Sequence, residues 1–203
     1  MGLASAVRGL IRYEGFSSVL SSALDALKPL DFHIFVIQRG DQVTEVRPPE
    51  GVEMYADALE RLRATRRGAS GLPNEFWRDK INGASVCSLM VVNGEPASII
   101  WVYPAPAKRP LIVMESTDAE LSATYTLPKF RGRGFHRALL AYSTVWQLRE
   151  RSRLFMVAAG DNFASLKVIP EVGYKEVAVI RRRAILGAKF SAERMQSGSR
   201  GAL

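Results

Sequence analysis

The segment LPKFRGRGFHRALL, residues 127–140, constrains this chain more than any other. Pro128 lacks the N–H needed to extend a strand, Gly132 and Gly134 admit backbone conformations that other residues avoid, and the apolar spacing after Gly134 is that of a helix. The segment therefore reads as a strand end, a basic turn and a helix start. A helix N-terminus offers N–H groups without intrahelical partners at the positive end of the helix dipole. Such a turn suits a phosphate or pyrophosphate, held by the amides of residues 132–137 with arginine charge around it. A plain strand-to-helix turn accounts for the same residues, so the segment alone leaves both readings open.

Elements on either side define the class. Apolar residues recur at helical spacing over 3–27, before Pro29, and 32–38 (FHIFVIQ) predicts a short apolar strand. Residues 42–47 alternate as a strand does, and 52–65 (VEMYADALERLRAT) carry helical spacing. A short helix is predicted over 74–81 with Asn74 as its cap. Residues 84–92 and 96–103 predict a hairpin, because the Asn93 and Gly94 between them favour the left-handed conformations of a tight turn. Beyond the loop YPAPAKRP, 111–114 is a possible extra strand, 120–127 a strand, 134–149 a helix, 154–158 a strand and 163–171 a helix. Residues 174–181 and 184–190 are closing strands. The order predicts an α/β (α+β) fold: a single mixed, mostly antiparallel sheet with helices on both faces and an extra N-terminal helix.

Composition narrows the partners. With 203 residues, 47% apolar and 24% charged, the chain has a globular composition and can bury a full core. No run approaches the ~18 apolar residues that span a bilayer. Arg8, Arg12 and Glu14 interrupt the N-terminal stretch before a secretory core could form, and the lone Cys87 excludes an internal disulfide. A cytoplasmic setting is expected, with peripheral membrane contact through 3–27 left open. The net charge of +8 is concentrated, since 129–151 and 181–203 each carry +5 and the remainder −2. The first cluster favours an anionic ligand on one face, whereas the second reads as a solvated basic surface and a loose tail. Two histidines and one cysteine make no metal-ligand cluster, so no metal is expected. Cys87, on a predicted core strand, reads as a small buried side chain rather than a nucleophile.

The segment 127–140 resembles the acetyl-CoA-binding loop of the GNAT superfamily of N-acetyltransferases, whose pattern is Arg or Gln, two residues, Gly, one residue, then Gly or Ala. Arg131, Gly132, Arg133, Gly134, Phe135 and His136 occupy that pattern, followed by Arg137. His136 stands where a small residue is usual, so its side chain has to point away from the phosphate or touch it. A second stretch, 161–177 (DNFASLKVIPEVGYKEV), resembles the family's next segment. In it Asn162 and Ser165 take cofactor-contacting positions, and Gly173 with Tyr174 form the Gly-aromatic pair that opens the next strand. The resemblance covers about residues 84–182 and, more loosely, 43–65. The expected division is a GNAT-like acyltransferase domain (41–190) flanked by an N-terminal helix and strand extension (1–40) and a basic flexible tail (191–203), neither of which matches the family's pattern.

The resemblance further implies a splay between the strand ending at Leu127 and the strand over 154–158. The pantetheine arm would bond main-chain groups of Tyr125, Thr126 and Leu127, with acetyl-CoA or another acyl-CoA as co-substrate. The implied reaction is direct acyl transfer from the thioester to a primary amine of a small molecule. Glu120, eleven residues before Arg131, stands where histone-acetylating members place their base. A salt-bridged carboxylate is the alternative there, with Glu115 and Asp118 as nearby substitutes. The usual proton-donating Tyr, four residues before Gly173, is replaced by Ile169, which leaves Tyr174, Tyr125, Tyr142 or water as donors. Its absence keeps open an acyl-CoA binder without catalysis. A polyanion or nucleic-acid binding module and an acyltransferase fed by acyl carrier protein are further readings, and a homodimer is compatible with all of them. Nucleic acid is disfavoured, because no aromatic-rich recognition strand is present. The acceptor groove is expected from about 54–77 and 103–111, where Glu50, Glu53 and Asp57 either draw a cationic amine or line a solvated face.

Overall fold

The structure, a computed structural model, describes residues 30–45, 47–48, 50–69, 71–105 and 111–182. Seven strands form its centre: β1 (Leu30–Gln38), β2 (Val52–Tyr55), β3 (Val86–Val92), β4 (Glu95–Pro104), β5 (Asp118–Thr126), β6 (Arg153–Ala159) and β7 (Lys175–Arg182). They lie in the order β2-β3-β4-β5-β6-β1-β7, antiparallel throughout except for β5 and β6. The helices are α1 (Leu59–Arg66), α2 (Arg78–Ile81), α3 (Phe135–Gln147) and α4 (Phe163–Val172), with 3-10 turns at Asn74–Trp77 and Pro128–Phe130. This is the mixed α/β sheet expected from the sequence.

The alternation of each strand divides the core by face. Phe35, Ile37, Leu121, Leu154 and Met156 pack against Leu139 and Leu140 of α3 and against Ile169 and Val172 of α4. On the opposite face Leu62 of α1 and Phe76 cover Leu89, Ile99 and Trp101. The β6, β1 and β7 side of that face is covered by Ile112, over Ile34 and Phe155. The β3 to β4 hairpin turns on Asn93 (φ 51) and Gly94 (φ 78), the two left-handed residues that its tight turn requires.

Several expectations are corrected. Residues 42–47 form no strand in their described part: the Thr44 N–H donates to Val172 O (3.0 Å), so this segment runs past the end of α4 instead of joining the sheet. Within 52–65 the first four residues are the edge strand β2, and Asp57 (φ 48) turns the chain before α1 begins. Over 74–81 a 3-10 turn precedes α2, and Pro73 rather than Asn74 holds the N-cap position. Residues 111–114 are not a strand; their apolar side chains serve as a cover over the third cluster, with Val113 left 94% exposed. The predicted helix over 3–27, the strand over 184–190 and the tail lie outside the described residues.

Leu30–Gln38, from the expected N-terminal extension, is an interior strand. Because β6 and β7 both pair with β1 antiparallel, they are parallel to each other, and α4 carries the chain across β1 between them.

Candidate functional site

A gap in the sheet defines the site. β5 and β6 share only three rungs, Asp118 with Arg153, Ala119 with Leu154 and Glu120 with Phe155, after which β6 pairs only with β1. An ion pair locks the closed end: Arg153 donates from Nε to Asp118 Oδ1 (3.1 Å) and from a terminal nitrogen to Oδ2 (2.6 Å). Glu120 is the last paired residue of β5, so it stands at the apex where the strands part, 6% exposed. The suggested substitutes Glu115 and Asp118 both pair with Arg153.

Beyond the apex β5 carries a bulge. Ile99 faces Tyr125 but Trp101 faces Ser122, so β5 has one residue more than β4 across this interval, and Ala123 adopts φ 49. Bulges bend a strand and increase its twist, which turns β5 away from β6. Nothing in the sequence marks Ala123 for this conformation.

The expected main-chain contacts separate on inspection. Leu127 N–H donates to Ala97 O (2.9 Å), and Tyr125 O accepts from Ser98 Oγ (3.0 Å). Alternate residues of an antiparallel strand point their amides to opposite sides, so Thr126, next to Leu127 whose N–H bonds to the β4 backbone, turns its main chain into the gap. Its carbonyl there accepts from Arg131 Nε (3.1 Å).

The basic turn follows at the open end. Arg131 also lies over the Tyr125 ring at 5.3 Å, Arg133 over Phe130 at 5.8 Å, Lys129 pairs with Glu95, and Arg137 reaches Glu171 at 3.4 Å. Most of these cations already have partners within the chain, so what the turn offers an anion is chiefly its backbone. Gly132 (φ 75) and Gly134 (φ 73) are left-handed, and a Cβ on either would meet nothing within 4 Å. Gly134 is the N-cap of α3, no side chain caps that helix, and its first internal bond runs from Ala138 N–H to Gly134 O (3.0 Å). The N–H groups of Phe135, His136 and Arg137 therefore lie in the first turn, where a helix has no partner for them. The His136 ring is turned inward: its Nε2 is buried, and burial lowers its pKa to about 4, so it is neutral near pH 7.

Across the gap, Asn162 caps α4 through Oδ1, which accepts from Ser165 N–H (3.2 Å). Tyr174 does not join them. It is 3% exposed, its hydroxyl is hydrogen-bonded to Thr144 Oγ1 (2.9 Å) and burial pushes its pKa up, so it has no route to a leaving thiolate. Ile169 is fully buried in the same cluster. Burial likewise raises the Cys87 thiol to about 12, which keeps it protonated and inert. Two of the three acids named for the acceptor groove are engaged as well. Asp57 accepts from Trp146 Nε1 (2.9 Å), and Glu53 pairs with Tyr55 and with Arg61 at 3.6 Å.

Solved structures with this fold include a GCN5-related N-acetyltransferase-like protein from Streptococcus suis, with TM-score 0.54 and 13% identity over 83% of this chain and 66% of that one. A protein from Novosphingobium aromaticivorans described as a GNAT-family acetyltransferase gives 0.52 and 13%, over 76% and 63%. The GCN5-related glucosamine N-acetyltransferase region of a fungal multi-domain GH3 β-N-acetylglucosaminidase gives 0.51 and 12%, over 83% and 23%. The chain thus has the fold of the GNAT N-acetyltransferases, and it spans less than two thirds of the length of each of these structures. No protein-family model and no curated protein matches its sequence. Among the described residues no helix is long and apolar enough to cross a membrane.

Proposed function

We propose that this chain is an N-acyltransferase that moves an acetyl or other acyl group directly from acyl-CoA to a primary amine of a small molecule. One observation carries the reading: a sheet gap that opens after three rungs leads, at its wide end, into an uncapped helix N-terminus behind two left-handed glycines. A gap of this kind takes an extended amide-bearing arm, and the α3 amides take a pyrophosphate. Thr126 and the amides of 132–137, with Gly132, Gly134 and Arg133 beside them, are the groups assigned to the donor. Asn162 and Ser165 form the opposite lip.

Glu120, at the apex, is assigned as the base. It takes a proton from the ammonium form of the acceptor, directly or through a water, and so frees the nitrogen lone pair. The nitrogen then attacks the thioester carbonyl carbon, gives up its second proton to water, and the C–S bond breaks as the thiolate departs. With Ile169 and Tyr174 both in the core, Tyr125, Tyr142 or water is left to protonate the thiolate.

A calorimetric titration with acetyl-CoA tests the assignment. Saturable binding that disappears in Gly134→Glu is the expected result, because that side chain fills the place where the anion sits. No binding of acetyl-CoA, longer acyl-CoA or free CoA overturns it.

A further inference from the structure

Residues 61–80 hold six cations, Arg61, Arg63, Arg66, Arg67, Arg78 and Lys80, against the carboxylates Glu75 and Asp79. The fold gathers four of these cations on one hollow of about 500 Å3 between α1 and α2, lined by Glu60, Arg63, Arg66, Arg67, Trp77 and Lys80. None of the residues assigned to the donor or to its chemistry lines it.

Arg66 is its fixed post. With a side chain 4% exposed, it donates to both oxygens of Asp79 (2.8 and 3.0 Å) and lies 4.7 Å over the Trp77 ring. Burial alone would raise the Asp79 pKa, but the Arg66 hydrogen bonds and the charges of Arg66, Lys80 and Arg63 outweigh it and hold the carboxyl below its ordinary value. Asp79 is therefore ionised and cancels the Arg66 charge. Arg63, at the surface, pairs with Glu60 and also reaches Asp79 Oδ2 at 3.6 Å. Arg67 and Lys80 are left, both exposed and without an ion-pair partner among the described residues. Trp77 is held in turn by its Nε1–H, which donates to Leu72 O (3.2 Å).

Cations brought together without matching carboxylates repel one another, and a bound anion removes that repulsion. The hollow falls within the roughly 300–1,000 Å3 of small-molecule sites, and its pinned floor needs little ordering on binding. We propose that this hollow binds a small multivalent oxyanion, a phosphate or polycarboxylate group, through Arg67 and Lys80 with Arg63 at the rim. The site is separate from the acyl-donor cleft, and its test does not depend on acyl transfer.

The test is a titration of the full chain with inorganic pyrophosphate, followed by amide 1H–15N correlation spectra. Saturating shifts are expected at 63–67, at 77–80 and at the Trp77 indole N–H. They should weaken by about tenfold in R67E/K80E, the loss of two exposed charge pairs, and persist in R131E/R133E. If R67E/K80E disturbs the remaining spectrum, R67Q/K80Q takes its place with the same expected loss. Shifts confined to 131–137, shifts that survive both charge-removing variants, or no shifts in the hollow at millimolar pyrophosphate overturn the proposal. The first of these would leave the acyl-donor reading intact.

Discussion

Replacing Gly173 by alanine tests how the far lip of the cleft is held. Gly173 ends α4 with φ 119, a conformation that L side chains rarely adopt. A Cβ built there meets the carbonyl oxygen of Gln42 at 2.5 Å, inside the 3.0 Å that real Cβ contacts respect, and Ile37 Cδ1 at 3.5 Å. The obstructing atom belongs to the backbone and cannot rotate away. Its segment is also tied to the helix by the 3.0 Å bond from Thr44 N–H to Val172 O. Forcing the dihedral costs about 1–2 kcal/mol, and relieving the overlap by shifting packed backbone about 1–3 kcal/mol more. The sum, about 2–5 kcal/mol, corresponds to a fall in melting temperature of roughly 4–20 °C for a chain of this size. Far-UV circular dichroism melts of the parent and of Gly173→Ala at equal concentration measure it. Because Asn162 and Ser165 lie at the other end of α4, acetyl-CoA affinity well below the melt should be unchanged. A variant melting within about 2 °C of its parent would refute the claim that the Gln42 carbonyl is fixed against this turn.

Two further predictions concern the site itself. Glu120→Gln should lower the acyl-transfer rate by ~10² or more at neutral pH while calorimetric affinity for acetyl-CoA is kept, and unchanged turnover removes Glu120 from the mechanism. His136 has a folded pKa of about 4 against an ordinary 6.5, so on acidification the unfolded chain takes up the proton first. Its contribution is therefore neutral above pH ~6.5 and costs stability as pH falls toward ~4, by up to about 3 kcal/mol. Urea midpoints of the parent and of His136→Leu should diverge over that window, and parallel profiles would show that the ring is not buried as described.

The sheet was legible where local signals and tertiary demands agree. Asn93 and Gly94 prescribe their turn by conformation, and Gly132 and Gly134 with the helix after them prescribe the basic loop. Where the sequence misled, a tertiary partner decided. The alternation of 42–47 suits a strand, but β2 already holds the place beside β3, and Thr44 bonds to α4 instead. The apolar run 111–114 is a cover over Ile34 and Phe155. Tyr174 follows a glycine that the motif singles out, yet burial and the Thr144 hydrogen bond make it a core residue. The bulge at Ala123 has no local signature, since it arises from register against β4. The basic run 61–80 was visible in the sequence but is masked when charge is summed over the whole remainder of the chain, where acids elsewhere cancel it.

The place of β1 has a consequence for how the chain is made. Gln38 leaves the ribosome about 115 residues ahead of Arg153, its register partner, a wait of roughly 6–20 s at ordinary elongation rates. Its other neighbour, β7, comes later still. Throughout that interval the segment LDFHIFVIQ, rich in β-formers and free of proline, has two unsatisfied edges, the condition under which nascent chains pair with each other. A circular permutant that begins after Gln38 would release this segment only after both of its partner strands had emerged. Vectorial synthesis therefore works against this topology, and the far half of the sheet closes only when almost all of the described chain has emerged.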